Sequence, residues 1–308
     1  MARILVTGAA GFIGGALCPA LTAAGHRVVA GLRRETAMPD GIETAILGDI
    51  GPATDWSATL RGIDIVVHLA QRAHAGRDAA APAAEPEAAA ALARAAASSG
   101  VGRLVLLSSI KAMGEATPPG RPFRADHEPH PQEAYGRGKL TSERAAAEVA
   151  GIELTVIRPP LVYGPGVRAN FAALIRLAGS GLPLPFAAID NRRSLIARDN
   201  LVDLIARAAT HPAAAGQTLL ARDGLDLSTP QLIRALAIGL GRKARLFPVP
   251  GALLAALRAA PGIGTKLSPL TLSLQVDDSP TRALLDWMPP ADAAGALAAT
   301  ARSFAARL

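Results

Sequence analysis

Tyr135 and Lys139 stand four residues apart in Tyr135-Gly136-Arg137-Gly138-Lys139, the spacing that puts two side chains on one face of a helix. An ammonium beside a phenol favours the phenolate. The pairing is therefore expected to lower the Tyr135 pKa from about 10 toward working pH and to make it a general acid/base. Ser109 follows the apolar run 104–107. At the carboxyl end of a strand its hydroxyl lies where open α/β sheets bind ligands, within reach of a reacting oxygen.

A second chemistry-bearing segment lies at the N-terminus. The apolar run 4–6 leads directly into Thr7-Gly8-Ala9-Ala10-Gly11-Phe12-Ile13-Gly14. Gly8 permits a tight turn, Gly11 lets a pyrophosphate approach the backbone, and Gly14 lets the following helix pack closely. Phe12 and Ile13 lie at that helix N-terminus, whose amides and dipole favour an anion. Between a strand and a helix, this Gly-x-x-Gly-x-x-Gly spacing reads as a dinucleotide-binding loop. The next strand ends in Gly31-Leu32-Arg33-Arg34. Leu32 occupies the place where an acid would bind the ribose 2′-hydroxyl of NAD, and two arginines follow that could pair with a 2′-phosphate. NADP is the favoured cofactor on this ground, with NAD the alternative.

These residues need a sheet to hold them. Apolar runs at 4–6, 28–30, 44–47, 65–69, 104–107 and 154–157 read as buried strands. Helical patterns at 12–24, 79–99 and 132–150 separate them, the last two ended by Gly100 and Gly151. Continuous apolar strands alternating with helices imply a doubly wound parallel sheet, an α/β Rossmann-like fold. Beyond residue 159, proline and glycine cluster between helical runs such as 171–178 and 201–209, the pattern of a smaller α/β lobe. The dinucleotide-binding domain is expected to take residues 1–166 and about 195–222, and the substrate-binding lobe 167–194 and about 223–308.

Composition narrows the field further. The 308 residues are 50% hydrophobic with a formal net charge of +7, which excludes a disordered chain. Cys18 is the single cysteine, so no disulfide framework exists within the chain; it reads as a small packing residue. Lysines are only four, Lys111, Lys139, Lys243 and Lys266, so the positive charge is mainly arginine, suited to small phosphates. No basic block exceeds Arg33-Arg34 or Arg192-Arg193, which argues against a nucleic-acid reader. No apolar run reaches the length of a membrane span, and a cytoplasmic location is expected. Asp126-His127-Glu128-Pro129-His130 reads as a polar loop, and no metal site is expected.

The glycine loop, Gly48-Asp49-Ile50, His68-Leu69-Ala70, Ser108-Ser109 and Tyr135-Gly136-Arg137-Gly138-Lys139 occur in this order. In that order the chain resembles the extended short-chain dehydrogenases/reductases, and within them the NAD-dependent epimerase/dehydratase group acting on nucleotide sugars. The resemblance covers nearly the whole length and implies Ser109, Tyr135 and Lys139 as the catalytic set, with Lys139 also binding the nicotinamide ribose. It further implies adenine contacts from Asp49 and Ile50 and a loop under the cofactor formed by His68, Leu69 and Ala70. The segment Arg158-Pro159-Pro160-Leu161-Val162-Tyr163-Gly164-Pro165 resembles the family's post-catalytic strand, which puts Pro159 beside the nicotinamide. Asn170 and Arg193 resemble residues that contact the substrate's diphosphate. A homodimer through the helix carrying Tyr135 is implied as well.

Departures sharpen the reading. Glu85 stands where the family usually has an asparagine. Ile110 and Lys111 replace the acidic pair of the 4,6-dehydratases, which removes that activity and leaves Lys111 as a candidate substrate contact. Ser108-Ser109-Ile110-Lys111-Ala112-Met113-Gly114-Glu115 resembles a subgroup of 4-epimerases and 4-keto-sugar reductases acting on UDP-sugars. Leu32-Arg33-Arg34 tips the expectation toward the reductase, with a UDP-sugar 4-epimerase as the alternative. A non-catalytic NADP sensor or scaffold, the rival from another class, would not need the Tyr135/Lys139 pair.

Overall fold

A computed structural model of the chain describes residues 1–70, 84–260 and 264–307. Six strands appear near the expected places: β1 (Arg3–Thr7), β2 (Arg27–Leu32), β3 (Glu43–Ile46), β4 (Ile65–His68), β5 (Arg103–Leu107) and β6 (Glu153–Arg158). With β9 (Thr218–Leu220) they form one seven-stranded parallel sheet in the order β3-β2-β1-β4-β5-β6-β9. The order reverses between β1 and β4, which opens the crevice where such sheets bind nucleotides. The edge strand β9 was not expected; three residues are too few to register as a pattern.

Both faces of the sheet are covered. Helices α1 (Gly14–Ala23) and α5 (Arg198–Thr210) pack together on one face, α2 (Ala84–Ser98) and α3 (Ala134–Ala147) on the other. Central strands are therefore buried on both sides, which explains their continuous Val, Ile and Leu runs. Of the helix expected over 79–99, residues 79–83 lie outside the described residues. Cys18 is fully buried in the core beneath α1, and burial pushes its thiol up to about 12.

A second hydrophobic core lies outside this sheet. A three-stranded sheet, in the order β10-β8-β7, is formed by β7 (Leu161–Tyr163), β8 (Arg193–Ala197) and β10 (Asp226–Leu227). Around it stand α4 (Ala169–Ala178), α6 (Thr229–Gly239), α7 (Gly251–Ala259), α8 (Gly264–Thr271) and α10 (Ala293–Ala305), whereas α9 (Ser279–Leu285) packs on the core of the large sheet through Leu285. Tyr163, Phe171, Ile175, Leu195, Leu236 and Leu297 fill this core. Ser228 and Gln231 form a capping box that starts α6.

Candidate active site

The glycine loop is built for close approach. Gly8 has φ +69°, and a Cβ there would sit 2.9 Å from the Ala70 backbone N, so the loop lies against the segment after β4. A Cβ on Gly14 would come within 2.4 Å of the Gly8 carbonyl oxygen, which explains the glycine where α1 meets the turn. Gly11 donates its N–H to the Gly8 carbonyl at 2.9 Å. The backbone N–H groups of Phe12 and Ile13 have no partner among the described residues, which leaves donors aimed from a helix N-terminus. Thr7 ties β1 to β4: its hydroxyl accepts from the Ala70 N–H at 3.2 Å and lies 2.8 Å from His68 Nδ1. Leu69 packs against the core under α1. Arg198, which the sequence reading missed, lies over the Phe12 ring at 5.6 Å.

At the ends of β2 and β3, Leu32 is buried and Arg33 and Arg34 are exposed. Arg33 Nε pairs with Asp49 Oδ1 at 2.7 Å, so a carboxylate lies beside the arginine expected to meet a 2′-phosphate. Ile50 is half-buried against the core under β2. A cradle that side chains would fill and the unpartnered Phe12 and Ile13 donors fit a dinucleotide at this edge of the sheet.

Ser109 caps the single turn after β5, its Oγ accepting from the Lys111 N–H at 3.2 Å. Its hydroxyl lies near enough to the Tyr135 phenol to favour the ionised form. Lys139 Nζ lies 5.6 Å from the centre of the Tyr135 ring, as their spacing on α3 requires. Lys139 is buried, whereas Tyr135 remains 46% exposed, the access an acid/base needs. Glu85 of α2 approaches Lys139 Nζ at 3.9 Å.

The expected lowering of the Tyr135 pKa is reversed in the free protein. Although the side chain as a whole is 46% exposed, desolvation around the phenol raises it above its ordinary value; the Ser109 hydroxyl opposes the rise and the Glu85 carboxylate adds to it. Burial lowers the Lys139 pKa, against the pull of Glu85 and Glu143. Burial also holds His68 down to about 4, with Lys139 contributing.

Four positioning residues, Gly136, Glu143, Arg158 and Ser108, were not anticipated in that role. A Cβ on Gly136 would come within 2.2 Å of the Lys111 carbonyl oxygen, so only glycine lets α3 approach the Ser109 turn this closely. Glu143, one helical turn after Lys139, is buried and accepts from Arg158 at the end of β6: Nε reaches both carboxylate oxygens at 3.1 Å and Nη2 reaches Oε2 at 2.5 Å. Ser108 donates to the same carboxylate. The i+4 spacing from Lys139 was the available signal for Glu143; nothing local marked Arg158 as its partner. The Pro159 carbonyl accepts from the Ile110 N–H at 2.9 Å, which joins the post-catalytic segment to the Ser109 turn.

The structure thus brings Ser109, Tyr135 and Lys139 together. Of the remaining candidates, Lys111 stands in the turn beside Ser109, whereas Asn170 and Arg193 lie on the second lobe. Lys111 Nζ pairs with Glu133 at 3.1 Å. Asn170 is exposed in the first turn of α4. Arg193 opens β8 and donates to the Leu272 carbonyl at 3.0 Å; it has no carboxylate partner among the described residues, and burial brings its guanidinium down to about 10.

Comparison with known proteins agrees with the fold. Residues 4–220 match the NAD dependent epimerase/dehydratase family. A UDP-glucose 4-epimerase of Vibrio cholerae is 39% identical, covering 98% of this chain and 95% of that protein. A 2-alkyl-3-oxoalkanoate reductase of Stenotrophomonas maltophilia is 30% identical over 78% of this chain and 76% of its own. Among solved structures, MoeE5 in complex with UDP-glucuronic acid and NAD is similar at a TM-score of 0.78 and 25% identity, covering 99% of this chain and 100% of that chain. The chain belongs to the NAD dependent epimerase/dehydratase family and is an NAD(P)-dependent enzyme built on its fold.

Proposed function

We propose that the protein is a 4-epimerase of a UDP-sugar, with Ser109, Tyr135 and Lys139 as its catalytic residues. The observation that carries this reading is the Tyr135 ring over the buried Lys139 ammonium at 5.6 Å, with Ser109 beside the phenol, in a chain 39% identical to a UDP-glucose 4-epimerase along nearly its whole length. The nucleotide loop with Phe12 and Ile13, the Leu69–Ala70 segment, Asp49 with Ile50, and Lys139 with Pro159 would hold the dinucleotide. When bound, it would supply the hydride acceptor and donor that oxidation and re-reduction of the sugar carbon require.

Tyr135 accepts the proton of the sugar 4-hydroxyl as that carbon is oxidised. Ser109 donates a hydrogen bond to the same oxygen and favours its carbonyl form. Lys139 holds positive charge below the ring and favours the phenolate that must form. The 4-keto sugar then turns over between the dinucleotide edge and the second lobe. Tyr135 returns the proton to the oxygen, now on a carbon of inverted configuration. Arg193 and Asn170 would anchor the diphosphate during the turn, Arg193 as a half-buried guanidinium with no carboxylate partner among the described residues. The substrate lobe in this reading comprises residues 167–194 and about 223–308.

A second reading, an NADPH-dependent 4-keto-sugar reductase, is favoured by one observation: β2 ends in a buried leucine followed by exposed Arg33 and Arg34. The Arg33–Asp49 pair weighs the other way, because a 2′-phosphate would have to displace the carboxylate. Purified protein incubated with UDP-glucose and no added cofactor separates the two. Formation of UDP-galactose, together with NAD released on denaturation, supports the epimerase. Turnover only with added NADPH and a 4-keto sugar supports the reductase. A homodimer through α3 is part of the proposal; its outward face carries Arg137, Thr141 and Arg144, so pairing there would be polar, and sedimentation velocity measures it.

A further inference from the structure

We infer that the second lobe carries a surface for anionic lipid, at the carboxyl ends of α4 and α6. Residues 166–189 and 227–276 contain no Asp or Glu. Within them Arg242, Lys243 and Arg245 are exposed, and none has an ion-pair partner among the described residues. Like charges this close repel one another unless an anion lies near.

The same surface carries apolar side chains that the fold leaves uncovered. Ile238 is 73% exposed, Leu182 62% and Phe247 44%. Hydrogen bonds join the segments that carry these residues and the cations. Arg242 donates to the Gly179 carbonyl, Leu184 N–H donates to the Arg245 carbonyl at 2.8 Å, and Phe247 N–H donates to the Leu184 carbonyl at 3.0 Å. Ile238 stands on the last turn of α6, one turn before Arg242.

Cations interleaved with large exposed aliphatic groups match the requirements of a bilayer interface: charge attracts the headgroups and the apolar side chains enter the acyl boundary. Nucleic acid would use the cations and could stack a base on Phe247, but the more exposed Leu182 and Ile238 would have no role in such a site, since single strands are held by aromatic stacking. No helix of the described residues is long and apolar enough to cross a membrane, so attachment would be peripheral.

The test uses the full chain and sedimentation with vesicles of phosphatidylcholine, with and without phosphatidylglycerol. Binding is expected only with phosphatidylglycerol and is expected to weaken at least tenfold as salt rises. Two variants, Leu182→Ser with Ile238→Ser, and Arg242→Gln with Lys243→Gln and Arg245→Gln, are each expected to lose it while keeping the wild-type circular dichroism spectrum and thermal midpoint. The inference is overturned by absence of binding to phosphatidylglycerol vesicles. It is equally overturned by binding that survives loss of the two aliphatic side chains, or by tighter binding to duplex DNA than to the vesicles at the same salt. None of these residues belongs to the candidate active site, so this result is independent of the epimerase reading.

Discussion

Arg158 and Glu143 form a buried, two-pronged ion pair that joins the end of β6 to the helix carrying Tyr135 and Lys139. Ser108, next to Ser109, donates to the same carboxylate. One carboxylate therefore fixes the relative positions of the three segments that bear the candidate chemistry. The fully paired arrangement offsets the cost of taking both charges out of water; a single partner does not.

Glu143→Leu alone is expected to destabilise the fold by about 3–5 kcal/mol, because it leaves the Arg158 guanidinium buried and unpaired. The double variant Glu143→Leu with Arg158→Met should recover much of that loss. Urea denaturation of the two single variants and the double variant measures the coupling. Equal losses in single and double variants would show that the pair does not act as a unit.

Gly136→Ala tests the close approach of α3 to the Ser109 turn. On an ordinary helix this change stabilises by about 1 kcal/mol. Here the added methyl meets the Lys111 carbonyl at 2.2 Å, so the helix must move away. Displacement on the order of 1 Å is expected to lower kcat by about a hundredfold, with circular dichroism retained. Unchanged kcat would mean that the turn yields without cost.

Glu85→Gln removes the carboxylate that raises both the Tyr135 and the Lys139 pKa. With less negative charge nearby, the phenolate is favoured. The rising limb of kcat/KM against pH is therefore expected to move to lower pH by up to about one pH unit. The conservative change to Asp should restore the wild-type profile. A limb that stays in place in the Gln variant would exclude Glu85 from the proton chemistry.

His68 is held neutral by burial, its pKa at about 4 against 6.5 for an exposed histidine. Between these values the unfolded chain binds a proton that the folded chain does not. Stability is therefore full above pH 6.5 and falls as pH drops toward 4, by about 3 kcal/mol for this residue. His68→Asn should flatten that part of the stability curve in denaturant titrations across the window.

The sequence was most informative where local chemistry is dictated by position. Buried strands must be apolar on both faces, so β1, β2, β4, β5 and β6 were legible; β3, read as buried, is an exposed edge strand with Ile46 55% exposed. The glycine spacing named the turn that Gly8 and Gly14 build. The i,i+4 geometry of Tyr135 and Lys139 followed from helix pitch. Long-range pairing was not legible: Arg158 is fifteen residues from Glu143, and nothing local in the strand says which helix its guanidinium reaches. The direction of the Tyr135 pKa was misread for the same reason. The neighbour in the motif, Lys139, was visible, while the burial and the approach of Glu85 from α2 exist only in the folded chain. At the cofactor edge, Arg33 and Arg34 read as phosphate ligands, and the fold added Asp49 beside Arg33.

The central claim is that Tyr135 exchanges the proton of the sugar 4-hydroxyl in an epimerase. Tyr135→Phe and wild type are compared in the UDP-glucose to UDP-galactose conversion without added cofactor, with bound NAD quantified in both. Loss of the phenol is expected to lower kcat by about 10²–10⁴-fold while NAD content stays within twofold of wild type. A variant that turns over within tenfold of wild type would contradict the assignment, as would a wild-type enzyme that makes no UDP-galactose.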